Sequence, residues 1–488
     1  MPISFNTIPV DLRTPGQFVE FDATRATSGP QAQPQRALVI GQMLSSGLAV
    51  ANTPIRITQA DQAIQQFGRD SMLAAMCDAF LAANPRAEMS ALPMADNAEG
   101  GAATKTVTLT GPATGAGTLS LLIAGQTVEL GVADEDTATE VATAIAARVT
   151  ALPDLPVTAA SAAGVVTLTA RHKGVAGNDI DVRVNYRTGE VTPAGLAVAI
   201  AAGTTGTGNP DVTAAFTAIG DDWYNTFILP WTDAGNLEVV EDELADRFGP
   251  LRMIDGLAFA FASDTYGDLA TLGASRNSPH VSIGGLKASP TPPWVIAADY
   301  GATVSYHGAI DPARPFQSLV LKSTLAPAVG DRFTRAERDL LLRDGISTFT
   351  VDAGGNVAIE RPITTYQTNA FGLADVAYLD VNTLLTLSYL RWSTRARIGS
   401  KYGRHKLAAD GTLYGSGQAV VTPKVIRAEL ISLFREWMDI GLVEDIETFK
   451  RELIVERDAG DVNRLNALIP PNLVNQFRVF AAQVQFRL

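Results

Sequence analysis

A single cysteine, Cys77, stands among 488 residues, so no disulfide can close within the chain and no cysteine-built metal cluster is available. Histidine is scarce too, with only His172, His280, His307 and His405. No apolar run approaches the ~20 residues of a membrane-spanning helix, and the N-terminus, MPISFNTIPVDLRTPG, lacks the charged-then-apolar order of a secretion signal. A protein made in the cytoplasm, with no membrane partner, is expected. Basic residues number 38 against 51 acidic, a formal net charge of -13, which argues against nucleic acid as a partner. At this length several domains are expected, since single cores rarely exceed roughly 250 to 300 residues.

Aromatic residues are missing from one stretch. Of the chain's 19 Phe, 10 Tyr and 5 Trp, only Tyr186 falls between Gly101 and Gly203. Alternating runs at Thr106 to Leu109, Leu119 to Ile123, Thr127 to Leu130, Val165 to Thr169 and Ile180 to Val184 read there as strands. A helix starting near Thr137 presents Val141, Ile145, Val149 and Leu152. Residues 101–203 therefore read as an inserted β-rich domain, with AAGTTGTGNP as its return linker.

On either side of that stretch, strand and helix take turns. Ala37 to Ile40 reads as a buried strand, Thr58 as the cap of a helix to Phe67, Ser71 to Ala83 as a helix and Glu88 to Asp96 as a strand. Thr226 to Leu229, Leu237 to Phe248, Leu257 to Ala262, an Asp264-capped helix and His280 to Ile283 continue the series. This alternation predicts an α/β layer with a largely parallel sheet over 36–100 and 204–372. Residues 373–475 read as an α+β domain, with a helix candidate over Leu373 to Leu390. Its second helix follows Thr422 and Pro423, with Val425, Ile426, Leu430, Leu433, Phe434, Trp437 and Met438 as apolar face.

The ends differ from the body. Residues 1–35 are rich in Pro, Thr, Gly and Gln, with Phe18, Val19 and Phe21 as a short β-prone island, so they read either as a disordered tail or as an arm that becomes a strand on a partner's sheet edge. Residues 476–488 alternate, with Phe480, Val484 and Phe486 on one side, and read as a second strand in need of a partner. Between Asp380 and Asp410 no acid interrupts Arg391, Arg395, Arg397, Lys401, Arg404 and Lys406. In so acidic a chain this run is a candidate contact surface, or else a solvated face.

Catalytic constellations are not found in the sequence. No GTS or GxSxG nucleophile element accompanies the four histidines. AAGTTGTGNP lacks the Lys-Ser/Thr ending of a phosphate loop, and Asp134, Glu135 and Asp136 lack calcium-loop spacing. No cofactor is expected.

The most specific string runs from Arg332 to Asn369, RFTRAERDLLLRDGISTFTVDAGGNVAIERPITTYQTN. Thr334 and Glu337 form a capping-box pair, with Leu340, Leu341 and Leu342 as the helix's buried face. Ile346 to Val351 and Asn356 to Arg361 then flank the turn Asp352-Ala353-Gly354-Gly355. This string, together with LRWSTRARIGSKYGRHKLAADGT, VTPKVIRAELISLFREW and NQFRVFAAQVQFRL, resembles the sheath proteins of contractile phage tails, most closely their Mu-like branch. The resemblance implies a subtilisin-like layered α/β core and a structural, non-enzymatic subunit of a virion tail. It implies hexameric rings stacked helically around a tail tube protein, with baseplate and tail terminator proteins as further partners. A subtilisin-like hydrolase or a carbohydrate-binding protein on the same fold is the alternative.

Overall fold

The computed structural model describes residues 13–20, 33–415 and 417–487. Phe21, predicted above as part of an arm, lies outside the described residues. The described residues form two compact units, 34–388 with 475–487, and 389–474 with those before 34.

The larger unit begins with β1 (Arg36–Gln42), β2 (Ile55–Ile57), α1 (Ala60–Phe67), α2 (Met72–Ala83) and β3 (Glu88–Met94). Helix α1 is capped at Gln59 and not at Thr58, whose amide is instead taken up by Gln62. Ser71 caps α2 by accepting from the Ala74 amide. The region then passes through β4 (Ala102–Thr110), β5 (Gly117–Ile123), β6 (Gln126–Val132), α3 (Ala138–Ala151), β7 (Val157–Ala162), β8 (Val165–Lys173), β9 (Val182–Val184) and β10 (Ala197–Ala202). These strands build an antiparallel sheet of order β10-β4-β8-β7 and a smaller one of order β6-β5-β9, neither of which pairs with a strand outside 102–202. Thr137 and Glu140 close a capping box on α3, which buries Val141, Ile145 and Val149. Strands β7 and β10, VTAASA and AVAIAA, escaped the sequence reading because four of the six residues in each are Ala or Ser, which carry little strand preference.

The chain returns through α4 (Thr213–Ile219), β11 (Thr226–Ile228), α5 (Ala234–Phe248), β12 (Leu257–Ser263), α6 (Tyr266–Ala274), β13 (Val281–Leu286), α7 (Pro293–Ile310), β14 (Val320–Leu325), α8 (Arg335–Arg343), β15 (Ile346–Val351) and β16 (Asn356–Arg361). Asp233 and Thr265 cap α5 and α6, so Asp264 stands one residue outside its predicted place. The capping box of Thr334 and Glu337 is present on α8, but only Leu341 of the three leucines is buried and Leu340 is exposed. A nine-stranded sheet results, of order β14-β16-β15-β13-β12-β11-β1-β3-β2. From β3 to β15 all neighbours are parallel, and antiparallel strands close both edges.

Helix α7 is buried over nearly its whole first three turns, the property of a helix enclosed by core rather than lying on it. Gly301 permits that approach: a Cβ there would lie 2.2 Å from Ile228 Cδ1 and 3.0 Å from Phe259 Cβ. The buried Asp299 on α7 accepts from the amides of Lys322 (3.1 Å) and Ser323 (2.6 Å) and from the Thr324 hydroxyl (2.9 Å), fixing the middle of β14.

Helix α9 (Val381–Tyr402) starts eight residues later than the sequence pattern suggested and runs on through the basic stretch. Residues 373–380 are turns and bridges instead. The smaller unit continues with β17 (Lys406–Leu407), β18 (Val420–Val421), α10 (Pro423–Asp439), β19 (Val443–Glu444), α11 (Ile446–Glu452), β20 (Ile454–Arg457), β21 (Leu465–Leu468) and β22 (Asn472–Leu473). Its core is aromatic: Phe434 stacks on Phe449 at 4.0 Å, and Trp437 Nε1 donates to Ser393 Oγ at 3.0 Å. Val425 and Met438, predicted for the same face, are exposed.

Candidate assembly surfaces

An open parallel sheet binds ligands beyond the carboxyl ends of its strands, where the strand order reverses. Here the parallel strands follow the order β3-β1-β11-β12-β13-β15, so that point falls between β1 and β11. The ends of β1 and β3 beside it are filled by the chain itself. Asp96, just past β3, accepts from Gln42 Nε2 (2.7 Å), from His172 Nδ1 (2.9 Å) and from the Lys173 amide (2.9 Å). Gln42 also donates to the Lys173 carbonyl at 2.7 Å. Burial alone would raise the Asp96 carboxyl, but these donors hold it below the usual carboxylate range. Arg171 pairs with Asp70 at 3.1 Å and Arg69 with Asp154 at 2.7 Å, extending the same joint between β8, the turn after α3 and the start of α2.

The His172 and Asp96 pair has the form of half a catalytic triad. Its second ring nitrogen settles the matter: His172 Nε2 accepts the amide hydrogen of Met72 at 3.0 Å. That nitrogen is already occupied by the main chain at the start of α2. His172 is thus a structural bolt, and sequence reading missed it because residues 72, 96 and 172 meet only in three dimensions.

The basic stretch divides. Arg397 Nη1 pairs with Glu429 at 2.9 Å, and its other terminal nitrogen pairs with Glu436. Lys401 Nζ and the Tyr402 hydroxyl reach the same Glu429 at 2.7 and 2.9 Å. Burial works to raise the Glu429 carboxyl, and Lys401, Arg397 and Tyr402 together more than offset it. Arg397 and Lys401 are therefore committed to packing α9 on α10, which supplies the acids that the sequence run lacked. Arg391 is half-buried and Arg395 exposed. Arg404 and Lys406 are exposed, with Lys406 Nζ 3.2 Å from Gln418.

Among the described residues, 13–20 of the first predicted arm and 476–487 of the second lie in no strand. Phe18 and Val19 are exposed and outside any strand. From Val474 to Arg487 the backbone joins no sheet, and Phe480, Val484 and Phe486 are exposed along with the polar residues between them. The Val474 amide donates to the Leu442 carbonyl at 3.1 Å. Arg478 Nη2 reaches Asp380 at 2.8 Å, a carboxylate already gripped by Arg361 at 3.2 and 3.3 Å.

The body is thus a mixed α/β chain whose described C-terminal segment joins no sheet. The family described as phage tail sheath protein central domain matches residues 205–365, and phage tail sheath C-terminal domain matches residues 374–487. The Mu-like prophage FluMu tail sheath protein of Haemophilus influenzae is 44% identical over 488 residues, covering 100% of both chains. This chain belongs to the phage tail sheath family, in its Mu-like branch, as a structural subunit of a contractile tail. Among solved structures, the sheath tail protein of Desulfitobacterium hafniense is 16% identical with a TM-score of 0.48, covering 94% of this chain and 100% of that one. The contracted sheath of an extracellular contractile injection system is 8% identical with a TM-score of 0.49, covering 97% and 98%.

Proposed function

We propose that this subunit polymerises as hexameric rings in a helical stack around a tail tube, and that its work is a change of lattice rather than a reaction. Subunits assemble on the tube in an extended, metastable arrangement. On triggering they rotate into a shorter, wider one, and head-to-tail contacts pass the change along the helix. A gain of a few kcal/mol per subunit, the scale of switchable equilibria, multiplied over many subunits supplies the stroke. No nucleotide or cofactor is needed.

The observation that carries this reading is the C-terminal segment, apolar at alternate positions and outside every sheet. Such a segment gains main-chain partners by adding to a neighbour's sheet edge. The hairpin of β20 and β21 is a fitting acceptor, since two-stranded antiparallel pairs are marginal alone and gain from further strands. The N-terminal arm around Phe18, Val19 and Phe21 acts in the same way. Residues 101–203 form an outward-facing inserted domain, a reading supported by their two self-contained sheets. For the core, a subtilisin-like kinship is inferred at the level of a parallel layer covered by helices. Within the basic stretch the contact to tube or adjacent ring is assigned to Arg404 and Lys406, exposed at its end, because Arg397 and Lys401 serve α10. Baseplate and terminator proteins cap the two ends of the stack.

Electron microscopy of the purified chain tests the reading. Tubes or rings are expected, and deletion of Met1 to Ala26 leaves a folded monomer that forms none. Normal tubes from the deletion variant refute strand donation by the N-terminal arm.

A further inference from the structure

We infer that residues 369–377, between β16 and α9, form a preformed apolar knob that seats in a groove of a second copy of this chain. Three side chains make its surface: Phe371, Leu373 and Val376 are 87%, 65% and 73% exposed. Nothing in their own unit covers them, yet the backbone beneath is fully organised. Asn369 N donates to the Leu373 carbonyl and Gly372 N to the Asn369 carbonyl, both at 2.9 Å. Asn369 Oδ1 accepts from the amides of Phe371 (2.9 Å) and Leu373 (3.2 Å). Gly372, at φ 74, makes the turn that holds Phe371 outward. At the base, the Asp375 amide donates to the Gln367 carbonyl at 3.0 Å and the Tyr366 hydroxyl donates to Asp375 at 2.7 Å. Apolar groups held rigidly outward lose little conformational entropy on docking, the behaviour of an interface anchor.

The occupant is identified by what borders the knob. Its C-terminal foot is pinned to the core, where the Thr364 amide donates to the Leu379 carbonyl at 2.8 Å and Ile363 bridges Asp380. Asp380 is also the residue that holds Arg478 at 2.8 Å. Two exposed apolar segments therefore diverge from one carboxylate: the knob, and the chain from Val479 to Phe486. The latter is the segment assigned above to a neighbouring subunit, so the inference rests on that polymer reading and makes the knob part of the same contact. Its only ionisable group, Asp375, is half-buried with its carboxylate taken up by the Tyr366 hydroxyl at the base, which leaves Phe371, Leu373 and Val376 as the exposed surface that suits an apolar groove.

The test uses the full-length chain. The triple variant Phe371→Ser, Leu373→Ser, Val376→Ser is expected to melt within about 1 °C of wild type, because the sites are exposed. It should need about a tenfold or greater rise in concentration to form sedimentable polymer, the scale of losing an aromatic anchor. Ala370→Cys supplies a reporter, since the native Cys77 is buried. Its maleimide labelling should slow at least about tenfold on polymerisation of the chain alone. Polymerisation of the triple variant at wild-type concentration, or unchanged labelling in the polymer, overturns the inference. Protection that arises only when tube protein is added overturns it as well, by assigning the knob to the tube. A truncation after Arg478, measured alongside, separates the two readings: if it polymerises normally the arm is refuted while the knob variants still report. A wild-type chain that remains monomeric at every concentration overturns both.

Discussion

Replacing Asp96 by alanine removes one carboxylate and strands three donors at once: Gln42 Nε2, His172 Nδ1 and the Lys173 amide. Hydrogen bonds to a charged acceptor contribute about 1.5 to 3 kcal/mol each. The Asp96 side chain is 26% exposed and that of His172 9%, so water recovers part of the loss, and the three bonds form one non-additive network. A local cost of about 3 kcal/mol follows, which is roughly a hundredfold in an opening equilibrium. Hydrogen exchange followed by mass spectrometry reads it directly, in peptides covering 171–174 and 72–75. Both should exchange roughly a hundredfold faster, while peptides from α7 stay unchanged. Asp96→Asn keeps the shape but turns an NH2 toward one of the donors, so it should fall between. The same carboxyl sits below its ordinary range in the fold, so its contribution is complete at neutral pH and is lost only as pH falls through that depressed value. Exchange in the Asp96→Ala variant within about threefold of wild type at residues 72–75 and 171–174 would refute the view that this cluster bolts β8 to the core.

Asp70 behaves oppositely: burial pushes its carboxyl up to about 6 despite Arg171 beside it. A raised acid binds protons in the fold that it releases when unfolded, so wild-type stability should decline as pH rises from about 4 through 6, and Asp70→Asn should flatten that slope in melting temperature measured at pH 5 and 7.5. Arg397→Ala leaves Glu429, 11% exposed, and Glu436 without their shared guanidinium; urea unfolding of the smaller unit should lose about 2 to 4 kcal/mol. The pair Arg404→Glu and Lys406→Glu should leave that unfolding curve unchanged and weaken co-assembly with tube protein at low salt. Gly301→Ala should cost about 1 to 3 kcal/mol, because Phe259 Cβ at 3.0 Å belongs to a central strand that cannot withdraw.

Much of the fold is legible in the chain because its signals are local. The capping box of α8, the Thr422 cap and the hairpin of β15 and β16 each lie within a few residues of sequence and form as the spacing predicts, and α2 and α3 start at Ser71 and Thr137 as their patterns suggested. The misses share a cause. Strands β7 and β10 are paired by β8 and β4 rather than by their own propensity. The helix placed over Leu373 to Leu390 shifts because Asn369 and Asp375 draw the backbone into side-chain-closed turns before α9 can start. The basic stretch read as a free surface because the acids that neutralise Arg397 and Lys401 lie 28 to 39 residues further along, one helix later. The alternation after Gln476 has no sheet in its own chain to settle it.

Hydrogen exchange of residues 477–487, compared between dilute monomer and sedimented polymer, tests most directly the claim that assembly finishes this fold. Rapid exchange in the monomer and strong protection at alternate amides in the polymer is the predicted outcome. Protection already present in the monomer, or none in the polymer, would contradict it.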